Sequence, residues 1–130
     1  MEQSDLVFQK LQAKEKEYHD LEDEYLKQKA TFTNQRNELY ERRDRLARIV
    51  EDEASKMTAF LQKGQYSYQD GEQFYRSLQQ LMEDSQFACR RREYELQYQE
   101  DLLNRDYRKK QDELEQTIGD LRRSYARAVK

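Results

Sequence analysis

The chain has 130 residues, with 24 basic and 27 acidic side chains and a net charge of −3. Charged residues make up 39% of it and hydrophobic residues 35%; Pro and Trp are absent and Gly numbers only 3. This balance excludes a globule with a thick core and favours long solvated helices, and a near-neutral charge argues against a general nucleic-acid or polybasic membrane role. Ten Tyr and five Phe set on a regular period are too apolar and too ordered for a disordered chain. No run approaches the ~18 apolar residues of a membrane span, so no membrane insertion is expected. The start, Met-Glu-Gln-Ser-Asp, is acidic and lacks the apolar block of a signal peptide. The chain is therefore read as cytoplasmic, with co-secretion open only to a route that uses no cleaved signal.

Ser4 or Asp5 is the expected cap of a first helix running over about 4–62, because a side-chain oxygen there accepts a free N–H of the first turn. Along this helix Leu11, Tyr18, Tyr25, Phe32, Leu39, Leu46 and Phe60 follow one seven-residue repeat, which Glu53 interrupts. Such a repeat draws a narrow apolar stripe that seeks another helix. The companion positions read Lys14, Leu21, Gln28, Gln35, Arg42, Ile49 and Lys56, so the stripe is only partly apolar. Cys89, the single cysteine, fits a reducing compartment and reads as a half-buried seam residue.

The pattern breaks at Gly64-Gln65-Tyr66-Ser67-Tyr68-Gln69-Asp70-Gly71, which holds two of the three glycines. Residues 63–70 are the expected turn, and a second helix is expected over about 71–128. The turn lies near the midpoint, so the predicted fold is all-α: one domain, 1–130, forming an antiparallel two-helix hairpin. Placing Phe60 opposite Tyr75 aligns Leu46 with Cys89, Leu39 with Leu96 and Phe32 with Leu103. Toward the end of the second helix the stripe drifts to Tyr107, Leu114, Ile118, Leu121 and Tyr125, a locally longer repeat. A thin hairpin with polar gaps buries little. The expectation is therefore self-association or a helical partner; two separate long helices, each paired with another subunit, remain the alternative.

Nothing in the sequence assembles a catalytic centre. His19 is the only histidine and has Lys16 where a di-iron helix would carry Glu. No nucleophile elbow, phosphate loop, CxxC pair or calcium loop occurs. The reading is a non-enzyme with no cofactor and no metal. The basic clusters Arg42-Arg43, Arg45, Arg48 and Arg90-Arg91-Arg92 are diluted by acidic neighbours and read as solvated faces. Expected partner-binding residues are Phe60, Tyr68, Asp70, Gly71, Phe74 and Tyr75 at the turn end, with Tyr94 and Tyr98 on the second helix, since exposed aromatic side chains are favoured at protein interfaces.

Tyr68-Gln69-Asp70-Gly71-Glu72-Gln73-Phe74 and the run Arg92-Glu93-Tyr94-Glu95-Leu96-Gln97-Tyr98-Gln99-Glu100-Asp101-Leu102-Leu103 resemble the LXG-toxin-associated helical (Lap-type, WXG-like) accessory proteins of type VII secretion. The resemblance implies an adaptor or targeting chaperone that binds the N-terminal helical domain of a secreted toxin, beside a second small helical accessory protein. Two features depart from that pattern. Tyr68 stands where a tryptophan is expected, and the tail Ser124-Tyr125-Ala126-Arg127-Ala128-Val129-Lys130 has no aromatic-x-x-x-acidic export signature. The hairpin also resembles the stalk-type chaperones of flagellar and type III export, and a structural coiled coil forming a homodimer is the third reading.

Overall fold

The computed structural model describes residues 2–130. It contains two helices, α1 (Glu2–Gln62) and α2 (Tyr68–Ala128), packed against each other as an all-α helical hairpin. Contacts divide it into two units. The turn unit is Thr33–Gln97; the terminal unit joins α1 through Phe32 to α2 from Tyr98 onward.

α1 begins at Glu2, so Ser4 and Asp5 lie inside its first turn and not before it. The Glu2 and Asp5 carboxylates suit that position, where the helix dipole favours negative charge. At the other end Gly64 adopts a φ of 69°, a conformation open to glycine because it lacks a Cβ. The Gln65 N–H then reaches the Phe60 carbonyl at 3.0 Å and the Gly64 N–H the Leu61 carbonyl at 3.1 Å. These two bonds form a Schellman cap, which satisfies carbonyls the helix would otherwise orphan.

The connection spans only residues 63–67, three fewer than the expected 63–70. Ser67 is the reason. Its Oγ accepts the Asp70 N–H at 3.1 Å, the N-cap geometry that starts a helix at the next residue. Tyr68, Gln69 and Asp70 are therefore the first turn of α2 and not part of the loop.

That earlier start moves the cross-helix register. Tyr75 meets Thr58, hydroxyl to hydroxyl at 2.6 Å, and not Phe60. In the same sense Phe8 faces Tyr125 with ring centroids 5.7 Å apart, and Tyr25 stacks on Tyr107 at 3.9 Å, where the expected register placed it near Lys110.

The α1 stripe also changes course at its one interruption. After Leu46 the side chains turned inward are Val50, Ala54, Met57 and Leu61, while Ile49, Lys56 and Phe60 are exposed. Steps of four, four, three and four residues carry the stripe one position past the strict heptad, as an inserted residue does in a coiled coil. On α2, Cys89, Leu96 and Ile118 are buried, and Leu96 is 0% exposed. Burying one such leucine contributes about 1.5–3 kcal/mol. Tyr107, Leu114, Leu121 and Tyr125 are half-buried, along the drifted line.

Candidate functional site: exposed aromatic side chains on the helix surfaces

The eight expected partner residues separate into two groups. Gly71, Phe74 and Tyr75 are drawn into the turn unit itself. Gly71 is buried beneath Leu61, whose Cδ1 lies 2.6 Å from where a Cβ would stand. The bare backbone at Gly71 thus lets the first turn of α2 approach the last turn of α1. Phe74 and Tyr75 are half-buried, their rings 6.4 Å apart and nearly perpendicular. Asp70 is exposed, with its backbone N–H taken by the Ser67 cap.

The remaining four project into solvent. Tyr68 is 84% exposed, Tyr94 78% and Tyr98 66%. Phe60, at 38%, leans on Tyr66 of the turn with centroids 5.8 Å apart. Tyr68 and Tyr75 share a groove of about 240 Å³ with Leu61, Glu72, Arg76 and Gln79. Tyr94 borders a second groove of about 360 Å³ with Arg36, Tyr40, Arg90, Glu93 and Gln97. In that neighbourhood the Arg43 guanidinium lies over the Tyr40 ring at 4.9 Å, an attraction between cation and ring face. It also donates to Asp44 at 3.1 Å, which holds Arg43 above its ordinary pKa.

Two exposed apolar residues of the turn unit were not singled out from the sequence: Leu81 and Phe87. The signal was present. Phe87 precedes Tyr94 by seven residues and so continues its line on the α2 surface.

Burial pushes the Cys89 thiol above its usual range, and the neighbouring Glu93 adds to the effect. A raised pKa keeps it a neutral thiol at physiological pH rather than a nucleophilic thiolate. His19 is exposed and rests edge-on against the Tyr18 ring, centroids 6.0 Å apart. Among the described residues no group of three or more His, Cys, Asp or Glu side chains could hold a metal ion. Among the same residues no helix is long and apolar enough to cross a membrane.

Polar groups instead fasten the helices together in the terminal unit. Tyr25 donates to Asn104 Oδ1 at 2.6 Å. Tyr18 donates to Glu115 at 3.1 Å and accepts from Gln111 at 3.0 Å. Lys29 pairs with Glu100 at 3.5 Å, and among the described residues Glu100 is the one charged residue that is buried. Burial raises the pKa of Tyr107, with the Glu22 carboxylate next in weight. Compared with protein-family models, with curated proteins and with solved structures, the chain gives no match.

Proposed function

We propose that this chain is a non-enzymatic adaptor, a targeting chaperone that packs side by side with the N-terminal helical domain of a secreted LXG-type toxin. In this reading it acts in the cytoplasm beside a second small helical protein, and the assembly is presented to a type VII secretion machine. The observation that carries the reading is the exposure of Tyr68, Tyr94 and Tyr98 on α2, outside the seam. A tyrosine ring offers a large contact area at a low entropic cost, and its hydroxyl can stay at the wet rim of an interface. The resemblance described above supplies the class of partner. A partner helix laid on these rings stabilises a thin hairpin by mass action, since it binds the folded form alone.

The test is isothermal titration calorimetry of the full chain with the N-terminal domain of an LXG-type toxin encoded beside it. Micromolar binding is expected, weakened at least tenfold by Tyr94→Ala and by Tyr68→Ala. No heat at 100 μM of each component overturns the proposal. Binding to a hexameric export ATPase instead assigns the chain to the stalk chaperones, and a stable homodimer indifferent to either candidate assigns it to structural coiled coils.

A further inference from the structure

The outer face of α2 carries a pattern that is complementary to itself. α2 is one uninterrupted helix from Tyr68 to Ala128, so placement on its face follows from its own period of about 100° per residue. Tyr94 and Tyr98 lie two residues either side of Leu96, and Arg91 and Asp101 lie five either side. Phe87 and Arg105 lie nine either side, and Asp84 and Arg108 twelve. All of these side chains are exposed. On the helix wheel they occupy an arc of about 120° centred opposite Leu96, the residue that points fully into the seam.

We infer that this face binds a second copy of the chain, α2 against α2, antiparallel, with the twofold axis passing at the level of Leu96. Two antiparallel copies bring residues equidistant from the midpoint into one layer. Tyr94 then stacks on the partner's Tyr98, and Arg91 pairs with the partner's Asp101. One layer further out the Phe87 ring meets the partner's Arg105, a cation over an aromatic face. Beyond it Asp84 pairs with the partner's Arg108. Asp84 already accepts one hydrogen bond, from Gln80 at 2.9 Å, and a carboxylate has room for a guanidinium besides. A twofold axis makes each of these pairings occur twice, and these four layers join ring to ring, ring to cation or opposite charges. The parallel arrangement would instead set Arg91 against Arg91 and Asp101 against Asp101, and is disfavoured by like-charge repulsion.

The inference does not rest on the export proposal: Arg91 and Asp101, whose exchange tests it, are not among the tyrosines that carry that reading. The interface is narrow and polar at its ends, so the dimer is weak and salt-sensitive. Sedimentation equilibrium of the full chain between 1 μM and 1 mM tests it. A monomer–dimer equilibrium is expected, with Arg91→Asp raising the dissociation constant at least tenfold. The exchanged pair, Arg91→Asp with Asp101→Arg, restores both symmetry-related contacts and should return the constant to within threefold of the parent. Lys63→Asp, in the turn and off this face, should leave it unchanged. A monomer at 1 mM, a dimer indifferent to Arg91→Asp, or an exchanged pair no better than the single reversal overturns the inference.

Discussion

The same two helices are held together by different chemistry in the two units. In the turn unit the seam is aliphatic and sulfur-containing: Leu39, Leu46, Val50, Met57, Leu61, Cys89 and Leu96 face inward, and the chain reverses through two caps that satisfy the helix ends. In the terminal unit the inward positions include Tyr18, Tyr25, Lys29, Glu100, Asn104, Tyr107 and Gln111, joined by hydrogen bonds, an ion pair and a ring stack. Apolar burial is non-directional and supplies stability. Polar pairing contributes little net energy but penalises every wrong register, because a misplaced partner leaves a buried group unsatisfied. Both units bury apolar side chains, Leu11 and Ile118 in the terminal unit included; the terminal unit adds polar pairs that specify alignment.

The largest effect that separates the units is expected at Leu96. Leu96→Ala removes the most deeply buried side chain and should cost about 3 kcal/mol in urea unfolding followed by circular dichroism. A loss under ~1 kcal/mol would mean that the turn-unit seam is not a main source of cohesion.

Next comes the Lys29–Glu100 pair. Glu100→Ala alone should destabilise by about 1–2 kcal/mol, because Lys29 loses its carboxylate in a partly buried site. Replacing both, Lys29→Met with Glu100→Leu, should be neutral or stabilising in the same unfolding experiment. A double variant less stable than Glu100→Ala would give the polar layer a cohesive role and erase the contrast between the units.

A third comparison uses one substitution at two places on α2. At Gly119 an added Cβ meets only the Arg123 guanidinium, at 3.8 Å, so Gly119→Ala should stabilise by about 1 kcal/mol through helix propensity. At Gly71 the Cβ would strike Leu61 at 2.6 Å, and the forced repacking should make Gly71→Ala destabilising by about 1 kcal/mol. Thermal melts of the two variants should therefore shift in opposite directions. Equal shifts would show that the close approach at the turn is not tight.

The smallest effect is alkaline. Burial raises both the Cys89 and the Tyr107 pKa, so the unfolded chain releases these protons first and the folded chain holds more of them above the ordinary values. Stability from these groups is fully present below an ordinary thiol value of 9.0. It falls as pH rises through the thiol range and then through the phenol range. Cys89→Ala should flatten the first part of the decline in urea midpoint against pH and Tyr107→Phe the second. A decline unchanged by both substitutions would place its origin elsewhere.

Several of these features were legible before the fold was known. The heptad through Leu11, Tyr18, Tyr25, Phe32, Leu39 and Leu46 is a local period, and a period fixes the helix face wherever the chain stays helical. The turn was legible because Gly64 is the residue type that accepts a left-handed backbone. The cap was legible too, in Ser67 followed three residues later by Asp70, but those residues suit turns as well as helix starts, which is why the loop read three residues too long. Of the residues expected to bind a partner, Tyr94 and Tyr98 are on the surface, whereas Gly71, Phe74 and Tyr75 are taken up by the turn unit. A seven-residue pattern cannot separate these cases, because an aromatic side chain near a turn is apolar enough for either environment.

The sequence by itself determined that this protein is a pair of long helices and where they reverse. Helix propensity, the seven-residue period and the glycine at the turn are all properties of residues close together in the chain. Only the tertiary structure decided that Met57 and Leu61 would be chosen over Lys56 and Phe60, that Thr58 and not Phe60 would face Tyr75, and that Tyr25 would find Asn104 and Tyr107. Those choices depend on the surface the opposite helix presents, and that surface was shifted by the few residues through which Ser67 shortened the turn.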